Sequence, residues 1–146
     1  MRDPSQGLDT RPRLHHVGYV VASMSGGIRR FQDDGGELVV GPTEDPLLRV
    51  VCALLRLPEG TDVELVAPHP EGGSPISARL QRGGGLDHLC FWVDDLEASL
   101  ARETDRDAVL LVPPTYAVTF DSTVAFVQRR TGLVVELMGG SSASGA

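Results

Sequence analysis

The stretch GGGLDHLCFWVDD, Gly83 to Asp95, sets one imidazole, His88, in an apolar run that leaves three glycines and ends on two aspartates. β-Branched and aromatic side chains favour an extended chain, so the run reads as a strand. A polar residue inside such a run needs a reason, and the rest of the chain supplies one by repeating the pattern. LHHVGYVV, Leu14 to Val21, again reads leucine, polar residue, histidine, apolar run. VELVAP (Val63 to Pro68) and VELMGG (Val135 to Gly140) match each other as well. His88 follows His16 by 72 positions, and Glu136 follows Glu64 by the same 72. Each histidine therefore precedes its glutamate by 48. Two motifs at one offset point to an internal duplication.

Each copy predicts β-α-β-β-β. In the first, strands are expected at LHHVGYVV, GELVVG, LRVVCALLRL and TDVELVAP, with a turn at Pro58–Gly60. MSGGIRRFQDD is a short helix candidate broken by Gly26 and Gly27. In the second, DDLEASLARET is the better helix, capped by Asp94 or Asp95, with an apolar stripe of Leu96, Leu100 and Ala101. Strands follow at AVLLVPP, STVAFVQRR and LVVELMG, and PPTYAVTFDST (Pro113 to Thr123) reads as a rim loop. SPISARLQR, between the copies, predicts a short connecting helix. The expected organisation is a polar tail over 1–12, modules over 13–70 and 85–140, a linker over 71–84 and a flexible tail over 141–146.

Strand side chains alternate between faces. His16 shares a face with Leu14, Gly18 and Val20, and His88 with Leu86, Cys90 and Trp92. Glu64 and Glu136 each stand between apolar neighbours that point the other way. Where that apolar face packs on helices, the four polar residues share the concave side, and the duplication brings them together. Two buried carboxylates repel, and a divalent cation removes the cost. His16, Glu64, His88 and Glu136 make a mixed N/O set suited to Zn²⁺, Ni²⁺, Co²⁺, Mn²⁺ or Fe²⁺. Taken singly, a strand histidine is more often a packed core residue than a ligand; the common spacing is what singles these out.

The 146 residues carry a formal charge of −7, which argues against a nucleic-acid partner. No apolar run reaches the length of a membrane span, and the N-terminus lacks the apolar core of a secretory signal. Cys52 and Cys90 lie in strand-like runs and read as buried free thiols, which places the protein in a reducing cytoplasm.

LHHVGYVV, VELVAP, GGGLDHLCFWVDDLEASLA and GLVVELMG together resemble the vicinal oxygen chelate superfamily, also called the glyoxalase/bleomycin-resistance/dioxygenase group. The resemblance runs from about Arg13 to Gly140 and is nearest the methylmalonyl-CoA epimerase and glyoxalase I branches. It implies an α+β fold in which paired βαβββ modules close into a half-barrel around one divalent metal. It implies His16, Glu64, His88 and Glu136 as ligands, although epimerases often have glutamine in place of Glu64. The implied activity is that of an isomerase, epimerase or lyase on a small oxygen-chelating metabolite or acyl thioester. Its course is an enolate-type intermediate, with Glu136 first and Glu64 second in moving the proton. Cys52, Leu54, Trp92, Phe120, Val124 and Phe126 are expected to line the pocket, and a homodimer is expected by analogy. One departure stands out. Epimerases carry a second catalytic glutamate where this chain has Cys52, and the repeat mate of Cys52 is Val124. A two-base epimerisation therefore does not carry over directly. Cys52 is read as a small cavity-lining residue, with nucleophile or weak acid as the alternative. No clear basic set for glutathione is seen, Arg49 and Arg56 only flanking the cavity strand. The competing reading is a non-catalytic binding or resistance protein of the same fold; an extradiol-type dioxygenase fits the extra carboxylate poorly.

Overall fold

The computed structural model describes residues 11–139, so most of both expected tails, and Gly140, lie outside the described residues. Eight strands and three helices follow the order β1 (Arg13–Val20), α1 (Met24–Asp33), β2 (Glu37–Asp45), β3 (Val50–Arg56), β4 (Asp62–Pro68), α2 (Ser77–Gln81), β5 (Gly85–Trp92), α3 (Leu96–Asp105), β6 (Val109–Ala117), β7 (Ser122–Gln128) and β8 (Val134–Gly139). The strands form one sheet in the order β2-β3-β4-β1-β5-β8-β7-β6, which curls into a half-barrel. β1 and β5 lie antiparallel at its centre, each flanked by a parallel partner, β4 and β8.

The two faces divide as the alternation predicts. On the convex side Tyr19, Val21, Leu55, Val63 and Leu65 pack with Ile28 and Phe31 of α1. Their counterparts Phe91, Val93, Val127, Val135 and Leu137 pack with Leu96 and Leu100 of α3. Each such apolar side chain, fully buried, contributes about 1.5–3 kcal/mol.

Four expectations need correction. Gly26 and Gly27 do not break α1. Ser23 caps the helix by accepting from Gly26 N at 3.1 Å. A Cβ on Gly27 would come within 3.0 Å of Val21 Cγ1 and 3.2 Å of Leu65 Cδ1, so glycine lets the helix lie close on the sheet. In α3 the inner stripe is Leu96, Ser99 and Leu100, and Ala101 is exposed. The 3.6-residue period carries position 101 well round from Leu96. The expected rim loop is mostly strand. β6 continues to Ala117, paired with Ser122, and only residues 118–121 turn. Pro113 and Pro114 are tolerated because β6 is an edge strand, and the register shifts between Val112 and Thr115. β2 likewise extends past Pro42 to Asp45, with a shift between Val40 and Thr43.

Candidate metal centre

The central pair of strands sets the site. In the register, Gly18 lies opposite His88 and His16 opposite Cys90. Gly18 also pairs with Glu64 across β1 and β4, and Cys90 with Glu136 across β5 and β8. A small residue thus sits between each imidazole and a carboxylate on the same face. The space is needed: a Cβ on Gly18 would fall 2.1 Å from His88 Cε1.

His16, Glu64, His88 and Glu136 are all buried, and one donor atom from each lies within 4.8 Å of every other. His16 Nε2 is 3.0 Å from Glu136 Oε1 and 3.3 Å from Glu64 Oε1. His88 Nε2 is 3.2 Å from Glu64 Oε1 and 3.1 Å from Glu136 Oε1, yet makes no aligned hydrogen bond with either. A buried nitrogen without a hydrogen bond, facing two carboxylates, fits a divalent cation among the four. Phe120 stacks on His16 with centroids 4.8 Å apart, and Phe126 meets His88 edge-on at 5.3 Å. His15, His16 and Cys90 form a second close group, overlapping the first.

Burial opposes charge on every member, and the members' mutual attraction overrides it. Burial would lower His16, but the Glu64 charge and bonds to Glu136 and Glu64 hold it up at about 9. His88 is raised well above its usual value, against burial, by Asp87, Glu136 and Glu64. Burial would raise Glu64, but the charge of His16 first, with His88 close by, lowers it. Glu136 is likewise lowered against burial, by its bond with His16 and by the nearby His88 imidazole. These directions favour charged imidazoles beside charged carboxylates in the metal-free cluster.

A cavity of about 510 Å³ opens on this cluster. Glu64, His88 and Glu136 reach its wall, with Cys52, Phe120 and Phe126 beside them. His16 lies behind, fully buried. Leu54, Trp92 and Val124, expected in the lining, do not form the wall. Leu54 pairs with Glu64 deep in the sheet, while Val124 and Trp92 pack with Cys90 and Met138. Face alternation gives the side of a sheet but not the depth. Arg49 also lines the cavity, its guanidinium donating to the Gly72 carbonyl at 2.6 Å, whereas Arg56 is paired with Asp62 outside it.

Asp45 is a wall residue that the sequence hardly marks. It is 2% exposed and accepts from Leu47 N, Leu48 N and, across the cavity mouth, Val118 N. Its only signal in the sequence is an aspartate before a proline, which is common in turns.

Comparison with known proteins bears on this geometry. A model of the glyoxalase/bleomycin resistance protein/dioxygenase superfamily matches residues 15–126. The chain belongs to that superfamily. An ethylmalonyl-CoA/methylmalonyl-CoA epimerase of Cereibacter sphaeroides is 32% identical over 101 residues, covering 68% of this chain and 74% of that one. Among solved structures, methylmalonyl-CoA epimerase from Mycobacterium tuberculosis superimposes with a TM-score of 0.75 at 27% identity, over 89% of both chains. A hypothetical protein from Bacillus halodurans C-125 reaches a TM-score of 0.76 over 90% of this chain and 96% of that one. At 24% identity that last likeness is one of fold alone. The superfamily match includes His16, Glu64 and His88, and ends ten residues before Glu136.

Proposed function

We propose that the chain is a divalent-metal-dependent isomerase of the epimerase kind, or a lyase using the same enolate chemistry, acting on a small acyl thioester or other oxygen-chelating metabolite. The carrying observation is the buried His16–Glu64–His88–Glu136 set behind a 510 Å³ cavity. The epimerases among its relatives support the reaction class. Zn²⁺, Ni²⁺, Co²⁺, Mn²⁺ or Fe²⁺ held by these four residues would supply Lewis-acid polarisation of a substrate oxygen, acidifying the neighbouring C–H.

The chain's own residues carry the proton. Of the carboxylates in the wall, Asp45 is engaged by backbone N–H groups and Asp87 by His88. Glu136 and Glu64, which face the metal position, are the bases in this reading, Glu136 first and Glu64 second. Cys52 does not join them. Burial first, then the charge of Glu64, raises its thiol well above the usual value, so it stays protonated and shapes the wall. Phe120, Phe126, Val66 and Ile76 make the wall apolar and keep water from the reacting carbon. In the same reading the working unit is a homodimer.

The test is a pair of variants assayed for proton exchange and turnover on acyl thioesters. Glu136→Gln is expected to lower turnover by about 10²–10⁴-fold while retaining some metal through the amide oxygen. Cys52→Ala is expected to keep most activity. Comparable losses in both variants would assign Cys52 a chemical role. Full activity in Glu136→Gln with metal bound would remove the mechanism and bring forward the binding-protein reading.

A further inference from the structure

Each buried imidazole is held from behind by the residue that precedes it in the chain. His88 Nδ1 lies 2.8 Å from Asp87 Oδ2, and His16 Nδ1 lies 2.8 Å from His15 Nδ1. His15 and Asp87 stand 72 positions apart, so they are one position of the repeat filled by two chemistries. Successive strand residues ordinarily point to opposite faces, which would keep such neighbours apart. Here the β1–β5 register shifts between Leu14 and His16 and again between Gly18 and Tyr19, the partners of His88 and Leu86. His15 and Asp87 are therefore the extra residues of two symmetry-related β-bulges. A bulge re-aims a side chain, and these two aim at the Nδ1 edge of the next ring.

We propose that His15 and Asp87 are matched positioning residues, each accepting the Nδ1–H of the following imidazole so that the Nε2 lone pair faces the metal position. This rests on the metal-centre reading above. A neutral imidazole that coordinates through Nε2 carries its proton on Nδ1. His16 Nδ1–H then donates to His15 Nδ1, and His15 keeps its own proton on Nε2. Phe120 steadies the pair, stacked on His16 and edge-on to His15 at 5.5 Å. Asp87 does the same for His88 with a carboxylate, a stronger acceptor that makes the ring a better donor. The two histidines are thus unequal ligands, His88 the stronger, although the first coordination sphere is symmetric.

Co²⁺ affinity of the full chain, measured by competition with a chelating indicator, tests this with two variants. His15→Phe keeps a ring against Phe120 but removes the acceptor, and should weaken Co²⁺ by about 10- to 100-fold. His15→Asp gives the first module the acceptor of the second, and should bind at least as tightly as the native chain. In the Zn²⁺-loaded native protein, ¹⁵N NMR should find His16 Nδ1 protonated. Native affinity in His15→Phe, a His15→Asp as weak as His15→Phe, or a bare His16 Nδ1 would each overturn the proposal. Should His15→Phe fail to fold, His15→Asp and the NMR spectrum decide alone. A native chain that takes up no Co²⁺ or Zn²⁺ is a different result, and removes the metal-centre reading itself.

Discussion

At the scale of the residue, Gly18 does more for the site than its size suggests. It sits between Glu64 and His88 in the register, and a Cβ there would overlap the His88 ring. Gly18→Ala must displace either the imidazole or β1. The expected result is at least a tenfold loss of Co²⁺ affinity and a destabilisation of about 1–3 kcal/mol, read by metal titration and thermal melting. Unchanged affinity would show that His88 does not need its observed position. The juxtaposition of His16, Glu64, His88 and Glu136 was legible because one offset joined both pairs, so symmetry did the work of a distance. Asp45 was not legible, because its place depends on how two turns meet across the cavity mouth. The positioning roles of His15 and Asp87 were hidden for a similar reason. Their repeat offset is visible in the sequence, but simple alternation aims them at the wrong face and only the bulges correct it.

At the scale of the element, strands were easier to read than their ends. β-Branched runs marked β1, β3, β4, β5, β7 and β8, while β2 and β6 ran past prolines that the sequence marks as breaks. Proline ends a strand where its N–H is needed for the ladder, and an edge strand does not need it. The same edges bear on assembly. β2 exposes Leu38 and Val39, and β6 exposes their repeat mates Leu110 and Leu111. Paired apolar edges of this kind are covered in solution or become sites of association. A second copy of the chain is the occupant the proposed homodimer supplies. Light scattering at micromolar concentration should return twice the chain mass, and a clean monomer mass would refute the dimer.

At the scale of the whole molecule, the duplicated sheet places two imidazoles and two carboxylates in one buried cluster, and that cluster makes stability depend on pH. In the metal-free protein His16 stands at about 9 against a usual 6.5. A raised folded-state value stabilises the fold fully below the usual value, and the contribution is lost as pH rises through about 9. His88 acts in the same direction. Glu64 and Glu136, lowered from 4.5, contribute above that value and lose their contribution as pH falls below it. The metal-free protein should therefore melt at a lower temperature near pH 9 than near pH 6.5, by calorimetry in chelator. A divalent ion held by the four residues would replace the imidazole protons, so adding one should raise Tm more near pH 9 than near pH 6.5. A metal-induced shift independent of pH would contradict this coupling. Elemental mass spectrometry of protein purified without a metal-affinity tag, before and after incubation with Co²⁺, Ni²⁺, Mn²⁺ or Zn²⁺, measures whether the four residues hold a metal. Close to one divalent ion per chain is expected, lost in His16→Ala; a native chain that carries none and takes up none would rule out the metal centre.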